Sequence, residues 1–149
     1  MRVLERAGVP YEALTFPESI HSADGVADFL GASRSEVYKT LVVVRPAGGK
    51  LLLVMAAGDR ELELKKLATA VGEKKLRMAT QAEAERLTRL KVGGISPLAL
   101  LNRGFEVYLD RPATELESIV ISAGRRGVNL RVGVGDLIKV VDGRVVAAT

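Results

Sequence analysis

Two apolar runs, Tyr38–Arg45 and Lys50–Ala56, are separated only by Pro46-Ala47-Gly48-Gly49, and this arrangement constrains the fold more than any other feature. Both runs are β-branched or leucine-rich, and the residues between them are turn formers, so the segment predicts an antiparallel hairpin. These are the expected core strands, around which the rest of the chain must build a sheet. A chain of 149 residues has the size of one ordinary domain, and at that length roughly 68–70% of the unfolded surface can be buried. With 48% hydrophobic and 27% charged residues, neither disorder nor a fibrous architecture fits. We therefore expect one domain over residues 1–149.

Helical and strand-like segments alternate along the chain, without repeats, linkers or low-complexity stretches, which predicts a mixed α/β fold. Met1–Ala7 reads as a short helix and Tyr11–Phe16 as a strand stopped by Pro17. Ser22 can cap a helix running to Phe29 and closed by Gly31,. Ser33-Arg34-Ser35-Glu36 and Thr80-Gln81-Ala82-Glu83 both have the capping-box form, in which hydroxyl and carboxylate satisfy each other's backbone donors,. Asp59 is expected to cap a helix carrying Leu64, Leu67, Ala68 and Val71 and ended by Gly72,. Further strands are expected at Leu76–Ala79, Phe105–Leu109, Ser118–Ser122, Val128–Val132 and Arg144–Ala147, with a turn or short helix at Ala113–Glu117 and a helix at Asp136–Val141. Between Lys91 and Leu101, Gly93, Gly94 and Pro97 interrupt regular structure,.

The inventory excludes several chemistries. There is no cysteine, hence no disulfide, thiolate metal site or cysteine nucleophile. The single histidine, His21, has no nucleophile-elbow pattern beside it and too few companions for a metal, so no metal and no cofactor are expected,. Neither a phosphate-binding loop nor a dinucleotide fingerprint is present. No apolar run reaches the ~20 residues of a membrane span and no signal peptide is evident, so a cytoplasmic location with no membrane partner is expected. The net charge of +4 comes with basic groups at Lys65 and Lys66, at Lys74, Lys75 and Arg77, at Arg86, Arg89 and Lys91, and at Arg125 and Arg126. Solvated helix faces and nucleic-acid contacts both account for them. Aromatic residues at 4% supply no extended base-stacking platform, which favours contacts to phosphates.

Three segments carry the remaining chemistry. In Val37-Tyr38-Lys39-Thr40-Leu41 a lysine stands at the mouth of a buried strand, where it either snorkels to solvent or meets an anion or carbonyl,. Val92-Gly93-Gly94-Ile95-Ser96-Pro97-Leu98 is either a structural turn or a rigid loop whose N–H groups face a carbonyl oxygen,. In the third, a strand delivers Ser122 into Gly124-Arg125-Arg126-Gly127, a basic glycine turn that an ordinary β-turn would also explain.

Taken in order, V-Y-K-T-L, G-D-R-E-L-E-L-K-K-L-A, V-G-G-I-S-P-L and I-S-A-G-R-R-G resemble the YbaK / Cys-tRNA(Pro) deacylase family over nearly the whole chain. The same architecture occurs as the editing insertion of bacterial prolyl-tRNA synthetases, which share the G-x-x-x-P spacing of Gly93 to Pro97. The resemblance implies a twisted, mainly antiparallel, barrel-like sheet flanked by helices. Lys39 matches the family's central lysine, which would meet the terminal phosphate or the ester carbonyl, and Thr40 follows it. Gly93, Gly94, Ile95, Ser96 and Pro97 match the loop that positions the aminoacyl group, and Ser122 a pocket serine. With Lys39, the N–H groups around Gly94 to Ser96 become candidates for stabilising developing negative charge, while Gly124 belongs to the substrate-binding turn. Asn129 stands where other members carry an acidic residue. Phe16, His21 and Ser22 fall near family pocket positions, but with different spacing.

The activity implied is trans-editing: the thiol of a mischarged cysteine attacks its own ester and releases the tRNA, leaving a thiolactone that water opens. Two other functions are compatible with the same residues, a sibling deacylase that clears Ala-, Ser- or Thr-tRNA by water attack and a non-catalytic tRNA-binding module. The partners implied are the acceptor end of an aminoacyl-tRNA and prolyl-tRNA synthetase.

Overall fold

A computed structural model describes residues 1–149. The expected hairpin is its centre. Strand β2 (Tyr38–Val44) pairs antiparallel with β3 (Leu52–Ala57), in register from Tyr38 opposite Ala57 to Val43 opposite Leu52. Every residue of β3 is buried, which explains why its sequence is a continuous apolar run and not an alternation: both faces of the strand are covered. Leu53 and Met55 face the main core, while Leu52 and Val54 belong to a second cluster under helix α3 (Leu64–Val71), with Leu67 and Ala68.

Around this pair the sheet extends to five strands, with β4 (Arg77–Met78) on the outside of β2, and β5 (Glu106–Asp110) then β8 (Arg144–Val146) beyond β3. The β3–β5 and β5–β8 pairings are parallel; all other ladders are antiparallel. A second sheet has the order β1 (Tyr11–Thr15), β7 (Val128–Gly133), β6 (Ser118–Arg125). The main core fills the space between the sheets, with Tyr38, Val42, Leu53 and Leu109 from one and Ile119, Ile121, Leu130 and Val132 from the other. Burying each such side chain stabilises the fold by roughly 1.5–3 kcal/mol.

The sheets meet along one line, where Val37 forms a parallel bridge with Val120 and the Val120 N–H donates to the Glu36 carbonyl at 2.9 Å. Beyond that bridge no ladder joins β2 to β6, and the two sheets stay separate. On its outer edge β2 is covered by β4 only at Val43 and Val44. The edge from Lys39 to Leu41 is therefore left for the site.

Two expected caps form. Ser22 Oγ accepts the Gly25 N–H at 3.0 Å at the start of α2 (Ala23–Leu30), which Gly31 ends in the left-handed region. Thr80 and Glu83 make the reciprocal box that opens α4 (Gln81–Thr88). Two others do not. Ser33 Oγ bonds to Ser35 Oγ, and Glu36 is drawn to Arg131 at 3.3 Å, so the segment is a turn without the box. Helix α3 begins at Leu64 and not after Asp59. Glu63, just before it, is extended, and its N–H donates to the Ala148 carbonyl at 2.7 Å. Helix α1 (Arg2–Arg6) is as expected, while α5 (Val134–Val141) starts two residues before Asp136. No helix is long and apolar enough to cross a membrane.

Candidate functional site

A cavity of about 660 Å³ opens where β2 and β6 separate, with walls from α2, the start of α4 and the Val92–Ile95 loop. Alternation along β2 sends Tyr38, Thr40 and Val42 into the space between the sheets, and Lys39 and Leu41 to the other side. All five line the cavity, which wraps around the free edge of the strand.

Of the residues expected at the site, Lys39, Thr40, Gly93, Ile95, Ser122 and Asn129 line this cavity, as do His21 and Ser22. Lys39 Nζ donates to the Arg60 carbonyl at 2.7 Å, so a carbonyl partner accounts for a lysine at this strand edge. Ser122 and Asn129 are cross-strand partners in β6 and β7. Ser122 Oγ accepts the Gly124 N–H at 3.1 Å.

The other expected residues are placed differently. Ser96 is fully buried and its Oγ accepts the Leu98 N–H at 3.2 Å, capping the 3-10 turn Pro97–Leu100. Pro97 lines a separate, smaller cavity behind that turn. Gly124 meets the turn itself, since a Cβ there would stand 2.8 Å from Ala99 Cβ. The Gly94 N–H donates to the Lys91 carbonyl at 2.7 Å, which corrects the expectation that it faces substrate. In contrast, the N–H groups of Ile95 and Ser96 have no acceptor within the chain, an unusual state for buried backbone donors. Phe16 lies outside the cavity, packed with Val26, Ala27, Val37 and Val120 under α2.

The loop is clamped from three sides. Gly93 has φ +91°, and a Cβ there would stand 2.9 Å from the His21 carbonyl oxygen; one on Gly94 would stand 2.9 Å from the backbone of Arg125 and Arg126. Arg126 Nε donates to the Val92 carbonyl at 2.8 Å, and the Val92 N–H donates to Glu85 Oε2 at 2.8 Å.

Four buried side-chain oxygens in the protein lack a hydrogen-bond partner: Asp24 Oδ1, Tyr38 Oη, Thr40 Oγ1 and Asn129 Oδ1. All four residues line this cavity. Leaving such a group unpaired costs about 1–3 kcal/mol, so their convergence singles this wall out as the candidate site. Burial is the main cause that pushes the Tyr38 hydroxyl up to about 12, with the charge of Asp110 adding to it. It is therefore a neutral donor at physiological pH. Sequence reasoning passed over Asp24, Tyr38 and Arg126. Asp24 stands in the first turn of α2, and Arg126 in the basic glycine turn that an ordinary β-turn would also explain.

The sequence from residue 17 to 140 matches the family described as "Aminoacyl-tRNA editing domain". The chain belongs to the aminoacyl-tRNA editing family. It is 35% identical over 146 residues to an Enterococcus faecalis protein named "Putative Cys-tRNA(Pro)/Cys-tRNA(Cys) deacylase EbsC", covering 97% of this chain and 88% of that one. It is also 28% identical over 127 residues to the proline–tRNA ligase of Staphylococcus aureus, of which it spans only 22%. Among solved structures, one described as "a putative trans-editing enzyme for prolyl tRNA synthetase" superposes with a TM-score of 0.84 at 26% identity, over 99% of this chain and 92% of that one. The family resemblance read from the four motifs and the barrel-like mixed fold are thus both shown.

For this editing domain, the wall formed by α4 has a pH limit. Glu83 accepts both Arg77 and the Thr80 N–H, and these bonds, the Arg77 pair foremost, hold its carboxyl down at about 2. A carboxyl whose pKa is depressed in the folded state stabilises that state above its unfolded value near 4.5, and the contribution is lost as pH falls toward 2,. The thermal midpoint of Glu83→Gln is expected to lie below that of the wild type at pH 6 and to converge with it at pH 2, as followed by circular dichroism.

Proposed function

We propose that the protein is a free-standing deacylase that cleaves the ester of mischarged Cys-tRNA(Pro). The observation that carries this reading is the convergence of the four unpartnered oxygens with Lys39 in a cavity that contains no hydroxyl activated by a base. Thr40 Oγ1 has no hydrogen-bond partner, and Ser122 Oγ is bonded to a backbone N–H. Such a site binds and orients but does not attack. The substrate's own thiolate then serves as nucleophile: sulfur bonds to the ester carbonyl carbon, the bond to the ribose 3′ oxygen breaks, and that oxygen takes up a proton. Water opens the resulting thiolactone to free cysteine.

Holding sulfur against the carbonyl carbon can supply roughly 7–11 kcal/mol, and one well-aimed donor to the developing oxyanion about 3 kcal/mol. We assign those donors to Lys39 and to the N–H groups of Ile95 and Ser96. Thr40, Ser122, Asn129 and Gly93 shape the place of the aminoacyl group, and the 3-10 turn capped by Ser96 and begun by Pro97 keeps the loop in position. The names of the relatives support this choice of substrate, and the ligase match supports prolyl-tRNA synthetase as a partner. The domain is small and would take its tRNA selectivity from that enzyme.

One observation favours a second reading. Thr40, Tyr38 and Asn129 could hold a water molecule instead of a substrate group, giving hydrolysis of Ala-, Ser- or Thr-tRNA. Deacylation of Cys-tRNA(Pro), Ala-tRNA(Pro) and Pro-tRNA(Pro) by the purified protein separates the two. Selective loss of the cysteinyl ester is expected. Loss of the alanyl ester instead moves the protein to the water-using class, and tRNA binding without any loss makes it a non-catalytic module.

A further inference from the structure

Asp110, at the end of β5, is 1% exposed and touches neither the cavity nor any cation at salt-bridge distance. A carboxylate buried in this way is costly unless its oxygens are bonded. Both are: Oδ1 accepts the Ala148 N–H at 2.8 Å and Oδ2 accepts the Thr149 hydroxyl at 2.6 Å. Those two residues are in turn bonded to the loop between β3 and α3. The Ala148 carbonyl accepts the Glu63 N–H at 2.7 Å, and Thr149 Oγ1, having donated its proton to Asp110, accepts from the Arg60 guanidinium at 3.3 Å. The next link is the Arg60 carbonyl, which accepts Lys39 Nζ at 2.7 Å.

The Gly58–Glu63 segment is otherwise held by the Gly58 N–H, which donates to the Val37 carbonyl at 2.8 Å, and by Leu62, packed against the second core cluster. It has no regular structure, and Glu63 offers no side-chain cap to the helix that follows. The Arg60 N–H closes a turn onto the Ala57 carbonyl at 3.1 Å. Gly58 and Glu61 nevertheless form part of the cavity wall.

We infer that Asp110 is a positioning residue for Lys39, acting through Ala148 and Thr149 on the Gly58–Glu63 loop whose Arg60 carbonyl holds the ammonium. The carboxylate presents two acceptors to two donors, which fixes both residues, and charge-assisted bonds of this kind are about twice as strong as neutral ones. The role in turnover rests on the proposed function of Lys39; the tether itself does not.

The test uses Asp110→Ala, Asp110→Asn, Thr149→Val and Lys39→Ala in the full chain, with two readouts. One is kcat and KM for Cys-tRNA(Pro). The other is the rate at which acetic anhydride acetylates Lys39, measured by mass spectrometry against the exposed Lys50. Asp110→Ala and Thr149→Val are expected to lower kcat about tenfold with KM within twofold, since small misplacements of a reacting group can cost up to ~100-fold. They should also raise the acetylation of Lys39 several-fold. Asp110→Asn keeps an acceptor for Ala148 and an amide that the Thr149 hydroxyl can accept from, so it should recover most of both values. If Asp110→Ala does not fold, Thr149→Val, which removes only the hydroxyl, decides. Folded Thr149→Val with unchanged kcat and unchanged Lys39 labelling overturns the inference. Wild-type kcat in Lys39→Ala instead overturns the catalytic reading of Lys39, and labelling still reports on the tether.

Discussion

Lys39→Ala is expected to lower the rate constant for deacylation by about 10²–10³, the usual effect of removing one donor from a developing oxyanion, with a much smaller effect on folding. The asymmetry follows from where the ammonium sits. Its bond in the free protein is to the Arg60 carbonyl at the exposed end of the side chain, and losing a bond of a charged group costs at most about 1.5–3 kcal/mol, less where water takes its place. The rest of β2 is held by its ladder with β3 and by the burial of Tyr38, Val42 and Val43. In the reaction the same group would meet charge that exists only in the transition state, so its loss should appear in kcat far more than in KM. Single-turnover deacylation beside a denaturant melt checks both halves. A folded mutant with wild-type turnover removes Lys39 from the chemistry.

Gly94→Ala is expected to be damaging for a different reason. Backbone torsion is not the obstacle, because Gly94 does not have a positive φ. The obstacle is space: an added Cβ would lie 2.9 Å from Arg125 Cα and carbonyl carbon and from the Arg126 nitrogen. Those are backbone atoms of a turn that is itself tied to the loop through Arg126 and Val92, so neither side can yield without moving the other. Overpacking of this kind costs about 1–3 kcal/mol, and displacing the loop by a fraction of an ångström should reduce kcat by up to ~100-fold. Gly135→Ala provides the comparison. That residue lies in α5 with nothing within 4 Å of its would-be Cβ, so the substitution should stabilise by roughly 0.5–1 kcal/mol and leave turnover unchanged. Equal effects of the two changes on turnover would refute the steric account.

The parts of the fold that could be read in the sequence are those set by local chemistry. The β2–β3 hairpin announces itself because a strand covered on both faces must be apolar throughout, and the Ser22 and Thr80–Glu83 caps form because their partners are three residues away. The caps expected at Ser33 and Asp59 fail where a distant group competes: Arg131 draws Glu36 away, and the Ala148 carbonyl accepts the N–H of Glu63, just before α3. Nothing local specifies that β5 and β8 run parallel to β3. The site divides in the same way. All four motifs converge on one cavity, but which of their groups face it depends on how β2 and β6 are placed. Hence Ser96 is a buried cap while Tyr38, overlooked, is a pocket hydroxyl.

The pairing of β1 with β7 has a consequence for how the protein is made. Tyr11 lies opposite Val132, so on the ribosome the first strand waits for nearly the whole chain before it finds its neighbour. Contacts this distant in sequence form slowly. The central hairpin can assemble early, but the wall contributed by Asn129 cannot. The cavity is thus among the last features to appear during synthesis, and an incomplete nascent chain has no formed pocket in which to engage a charged tRNA.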